Sequence, residues 1–304
     1  MGSIIDTLAN LLKMLADLFK FPSLAPAMLF VTLNQLFILP HFEFISLVKK
    51  LSERDLSDQV LVGSVIAVFL GYFINAIEIP IIKLYEGYPW QETRVGQWLI
   101  KRQRERRMAL KQHDPHAVEY FFPAHDKVLP TGLGNIMAAF EAYSWNKYQI
   151  DSVATWPRMF PILVKQEFMP YLAEHRSTLD FLLNNSLLMA AFGLECLLLR
   201  ILACQDIHYI LPIVAFVCSF FCYLASLTSA SRFGALCRTA FDLFRYHLAK
   251  ALGLRPVRSF SEEQNMWGDL RNFWREQLGP NFDRLNYRRT DWPIDIFEQE
   301  EKGQ

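Results

Sequence analysis

Four long apolar runs, grouped as two pairs, constrain this chain more than any other feature. They lie near residues 24–48 and 59–82, and near 179–203 and 209–229. A helix needs roughly 20 mostly apolar residues to cross a hydrocarbon core about 30 Å thick, and each run meets that length. Backbone groups in lipid must be bonded within their own segment, so helices are the expected form. The pattern predicts an all-α integral membrane protein with four transmembrane helices arranged as two hairpins.

Only 20% of the 304 residues are charged, but they are unevenly placed. Thirteen of the 31 lysines and arginines fall in segment 83–178 and twelve after residue 229. Lysine and arginine accumulate on the cytoplasmic side of a membrane. Both basic segments, and therefore both termini, are expected in the cytoplasm of a multi-pass cell (inner) membrane protein. The cluster Lys101, Arg102, Arg104, Arg106 and Arg107 gives the strongest orienting signal. The 31 acidic residues cancel the overall charge, so no nucleic-acid partner is expected.

Outside the apolar runs the chain also reads as helical. Residues 1–21 carry apolar side chains at helical spacing and predict an amphipathic interfacial helix. Hairpin 1 is expected over 22–84, with Tyr85, Tyr88 and Trp90 as interfacial anchors. A cytoplasmic helical region follows over 85–178. It holds a basic helix over 91–112 that ends near His113–Asp114–Pro115, and a helix over 133–148 with Thr131 as its N-cap. Pro157 and Pro161 are expected to break helix at WPRMFP. Hairpin 2 is expected over 179–230, and a helical extension and tail over 231–304. Gly253 is placed to end the extension.

Ionisable and amide groups inside a bilayer are costly and mark candidate sites. A rise of about 1.5 Å per residue sorts them by depth. Asn75 and Glu78, with Asn184 and Asn185, fall in an inner layer. Glu195 falls deeper, level with Asn34, Gln35, Cys218 and Ser219. These groups either line a path or bond helices together. Beyond the membrane, Arg238, Asp242 and Arg245 share one helix face and form a candidate charge cluster.

Catalytic signals are weak. The chain has no HExxH, GxSxG, phosphate-binding loop or CxxC, so no catalytic residue, metal or cofactor is expected. His113, His116 and His125 read as a solvated loop. The five cysteines sit in or near the second apolar pair and read as buried thiols.

The blocks KLYEGYPW (83–90), LPTGLGN (129–135), TWPRMFP (155–161), LDFLLN (179–184) and FGALCRTAFDLFR (233–245) together resemble a group of bacterial four-span membrane proteins with no known activity. The resemblance covers about residues 83–250. It implies an ordered cytoplasmic segment and carries over no functional residue. Two functional expectations follow from the residues. One is an oligomeric channel-like or transport-related protein using the polar layers. The other is a membrane-anchored scaffold that recruits a cytoplasmic protein partner or another membrane subunit. In the second, Trp156, Arg158 and Asn135 would form recognition surfaces beside Arg238, Asp242 and Arg245. The bilayer itself, and a second copy or another membrane subunit, are the expected partners.

Overall fold

The computed structural model describes residues 22–42, 55–202 and 208–276. The expected N-terminal amphipathic helix, residues 43–54 of hairpin 1 and the end of the tail lie outside them. Every regular element among the described residues is a helix. They are α1 (Leu24–Phe37), α2 (Leu56–Ala76), α3 (Glu78–Glu86), α4 (Arg94–His113), α5 (Pro115–Phe121), α6 (Gly132–Tyr148), α7 (Ser152–Lys165), α8 (Met169–Leu202), α9 (Ile210–Ala251) and α10 (Phe260–Glu276).

Three helices are long and apolar enough to cross a membrane: Ser57–Ala76, Met169–Ile201 and Ile210–Ala251. Among the described residues of the first apolar run, the α-helix covers 14 residues, Leu24–Phe37, about 21 Å at 1.5 Å per residue, and a 3-10 turn follows at Leu39–Phe42. Large apolar side chains on α2 and α9, among them Phe69 (73% exposed), Tyr72, Phe220 and Phe221, are uncovered by protein. Helices apolar on all sides are found where lipid supplies the missing neighbours.

The chain divides into two compact units. One comprises Met1–Met137 and Ala173–Phe233, the other Ala138–Leu172 and Gly234–Gln304. In the first, α1 packs on α2, and Ala27, Ile74, Ile81 and Leu188 form one core cluster. A Cβ at Gly71 would lie 3.3 Å from Leu24 Cα, so the missing side chain sets how near the two helices come. A second cluster joins Ile38, Phe192, Cys196 and Ala215. In the second unit Met159 and Leu163 of α7, Leu248 of α9 and Trp267 and Leu270 of α10 are fully buried.

Helix boundaries follow from capping side chains. The Thr93 hydroxyl accepts from Gly96 N–H, Asp114 from Ala117 N–H and Asp151 from Ala154 N–H. Each meets a donor that the first helical turn leaves open. Asp114 also explains the break at His113–Pro115: α4 ends, and α5 restarts with proline at its first position. α9 stops at Ala251, and Gly253 follows at φ +72°.

One expectation is corrected. WPRMFP does not break the helix, because α7 runs through Pro157 and Pro161. Each proline withholds an N–H from the carbonyl four residues earlier. Those carbonyls belong to Val153 and Pro157, both exposed, where water or lipid headgroups can bond them. Tyr85, expected as an interfacial anchor, is engaged within the first unit. Its ring stacks on Tyr223 with centroids 6.0 Å apart, and its hydroxyl donates to Ser186 Oγ at 2.9 Å.

Candidate functional site

Within the first unit, several polar residues of the apolar helices bond across to a neighbouring helix. Asn34 on α1 is hydrogen-bonded to Glu195 on α8, and its Nδ2 donates to Phe30 O at 3.1 Å. Glu195 Oε2 is buried without a hydrogen-bond partner. Gln35 Nε2 donates to Gln59 O across α1 and α2 at 3.1 Å. Gly63 makes room for that amide, since a Cβ there would lie 2.5 Å from Gln35 Nε2. Ser219 Oγ donates to Ser186 O at 2.7 Å, joining α9 to α8.

Glu78, at the start of α3, pairs with the guanidinium of Arg176 on α8. Arg176 Nε also donates to the buried Asp180 at 2.8 Å. Asn184 reaches Pro22 O at 3.5 Å, and Asn185 donates within its own helix to Phe181 O. Asn75 is exposed beside Tyr72 and Phe73. Sequence reasoning named Ser219 but not Arg176, Asp180 or Ser186. The four-residue spacing of Arg176 and Asp180 was the one local signal for this ion cluster.

The blocks KLYEGYPW and LPTGLGN meet in the same unit. Gly87, left-handed at φ +92°, ends α3, and a Cβ there would press on Pro130 at 3.0 Å. A Cβ on Gly134 would lie 2.1 Å from Glu86 O, so only glycine fits. Thr131 caps α6 by accepting from Gly134 N–H at 3.0 Å. The Tyr223 hydroxyl takes hydrogen bonds from the N–H groups of Gly132 and Leu133. Asn135 is buried and closes the loop: Oδ1 accepts from Leu129 N–H at 2.8 Å, and Nδ2 donates to the carbonyls of Leu129 and Thr131. Asn135 is therefore turned inward and offers no recognition surface.

The second unit holds an aromatic–ionic network around Asp242. Its carboxylate accepts from Tyr148 Oη at 2.5 Å, Tyr143 Oη at 2.9 Å and Lys147 Nζ at 3.3 Å. Burial, followed by the bond to Asp242, pushes the Tyr148 hydroxyl up to about 12. Lys147 is held above the ordinary lysine range, chiefly by its hydrogen bond to Tyr143. Arg245 stacks 4.2 Å from the Tyr148 ring centroid and donates to the buried Glu263 at 2.8 Å. Glu263 also accepts from Tyr246 Oη and Trp267 Nε1. Arg238 is buried, with its guanidinium 5.6 Å from the Tyr143 ring centroid.

Trp156 packs against Phe241, and Arg158 lies 4.2 Å over the Trp274 ring. The sequence pointed to Asp242 and Arg245 but not to Tyr143, Lys147, Tyr148 or Glu263, which come from other helices. Among the described residues no group of His, Cys, Asp and Glu is placed to hold a metal. Four cysteines, Cys196, Cys218, Cys222 and Cys237, are free thiols. No family model, curated protein or solved structure matches this chain.

Proposed function

We propose that the chain is an integral protein of a bacterial inner membrane, crossing it four times as two hairpins with both termini in the cytoplasm. In this reading it works as an anchored scaffold that recruits a cytoplasmic partner or another membrane subunit. The orientation rests on the lysine and arginine distribution, and the bacterial setting on the resemblance of the sequence blocks. One observation supports the scaffold reading: Asn34, Gln35, Tyr85 and Ser219 each bond across to a neighbouring helix, as helix-bonding groups do. The candidate recognition face lies on α7, where Val153, Phe160 and Val164 are exposed along one side. In-cell crosslinking of the full chain is expected to capture a specific partner that Phe160→Ser loses while the protein still folds. An unchanged partner list in that variant would sink the scaffold reading.

A second reading, an oligomeric channel-like or transport-related protein, is favoured by Glu195. A buried carboxylate oxygen with no partner, on a membrane-crossing helix, is costly unless it serves a function. Purified protein in liposomes is then expected to pass ions or solutes at a rate that Glu195→Gln changes. Flux no higher than that of empty liposomes would count against it.

A further inference from the structure

A cavity of about 580 Å3 opens within the first unit, walled by α4, the end of α5, the start of α6 and residues 227–231 of α9. Its size falls in the roughly 300–1,000 Å3 range of small-molecule sites. α4 contributes Gln103, Arg106, Leu110 and His113, at steps of three and four that put them on one helix face. Phe121, Phe122, Ile136 and Leu227 make much of the remaining wall apolar. No acidic residue is among the described lining residues. Along α4, Glu105 is the one acid among seven lysines and arginines.

Two observations point to a ligand. Gln103 Oε1 is buried against the cavity without a hydrogen-bond partner, and such an acceptor calls for a donor from elsewhere. Arg106 brings a cation to a mainly apolar wall with no carboxylate among its described lining residues. The start of α6 is not the attraction, because Thr131 and Tyr223 already take its first N–H groups.

We infer that this cavity binds an anionic phospholipid of the bilayer. The acyl chain lies along the phenylalanines, Ile136 and Leu227, the phosphate meets Arg106, and a headgroup hydroxyl donates to Gln103 Oε1. The bilayer is the source because one wall, Leu227 to Ser231, belongs to a helix long and apolar enough to cross a membrane. This rests on the membrane reading of the chain.

The test uses full-length protein, purified in detergent, stripped of lipid and examined by native mass spectrometry. The probes are phosphatidylglycerol, phosphatidylcholine, palmitate and glycerol phosphate. Phosphatidylglycerol is expected to bind about tenfold more tightly than phosphatidylcholine, the scale of one charge-assisted contact. Arg106→Gln, an exposed position that leaves the fold intact, is expected to erase that preference. Ala109→Trp fills the cavity and is expected to abolish saturable binding. Equal binding of the two phospholipids, or binding unchanged in both variants, means an annular lipid only and overturns the inference. Palmitate or glycerol phosphate binding as tightly as phosphatidylglycerol also overturns it, in favour of a soluble ligand. Alkaline washing of cell membranes keeps the two failures apart: a chain that washes off defeats the membrane reading itself.

Discussion

The two compact units are held together by different chemistry. In the first, contacts between apolar helices are mostly neutral: Ser219 to Ser186, Tyr85 to Ser186, Gln35 to Gln59. Its ion cluster, Glu78–Arg176–Asp180, sits where α8 still reads MPYLAEHRSTLD, ahead of the apolar stretch. In the second unit the central contacts carry charge: Asp242 with Lys147 and two tyrosines, Arg245 with Glu263, Arg275 with Asp151 at 2.5 Å. The difference follows the cost of a charge in each setting. Hydrocarbon penalises ions steeply, so under the proposed membrane placement short neutral bonds serve the first unit, while the second can use charge-assisted bonds about twice as strong.

If this contrast is right, removing charge partners from the second unit should hurt most. Arg245→Ala strands the buried Glu263 carboxylate and is expected to cost about 3–5 kcal/mol, read as a fall in thermal unfolding temperature in detergent. Gly134→Ala tests the tightest backbone contact of the first unit. The 2.1 Å approach to Glu86 O leaves no room, and a loss of about 3 kcal/mol is expected. A neutral result there would show that the two blocks are not locked together.

Tyr148→Phe removes one bond to Asp242 and is expected to cost about 1.5 kcal/mol at neutral pH. It also carries a pH signature. The folded-state value of Tyr148 is raised from 10.0 to about 12, so its stabilisation is full below pH 10 and is lost as pH rises through about 12. Unfolding temperature measured over that window should fall less steeply in the variant than in the parent. Ser219→Ala should have the smallest effect, about 0.6 kcal/mol. A loss as large as that of Arg245→Ala would erase the contrast between the units.

Periodicity made the helices legible, because burial on one face leaves a spacing that needs no knowledge of the partner. Caps at Thr131 and the stop at Gly253 were legible for the same reason, being local chemistry. Two kinds of feature were not. Pro157 and Pro161 read as breakers, since a sequence does not reveal that the carbonyls they free are exposed. The contacts Glu78–Arg176, Tyr85–Tyr223 and Tyr148–Asp242 join residues from about 90 to about 140 positions apart, and no local spacing encodes such pairs. Asn135 is expected from the LPTGLGN block to form a recognition surface. Its amide is instead committed to the loop it closes.

The bond from Gly132 and Leu133 to the Tyr223 hydroxyl has a consequence in time. A chain is made from its N-terminus and its parts fold as they emerge. The contact of Gly134 with Glu86 is available as soon as α6 leaves the ribosome. The cap from Tyr223 is not, because that residue is made only after α8 and the start of α9. The N–H groups of Gly132 and Leu133 therefore gain their Tyr223 partner only once α9, the third helix long and apolar enough to cross a membrane, has been made.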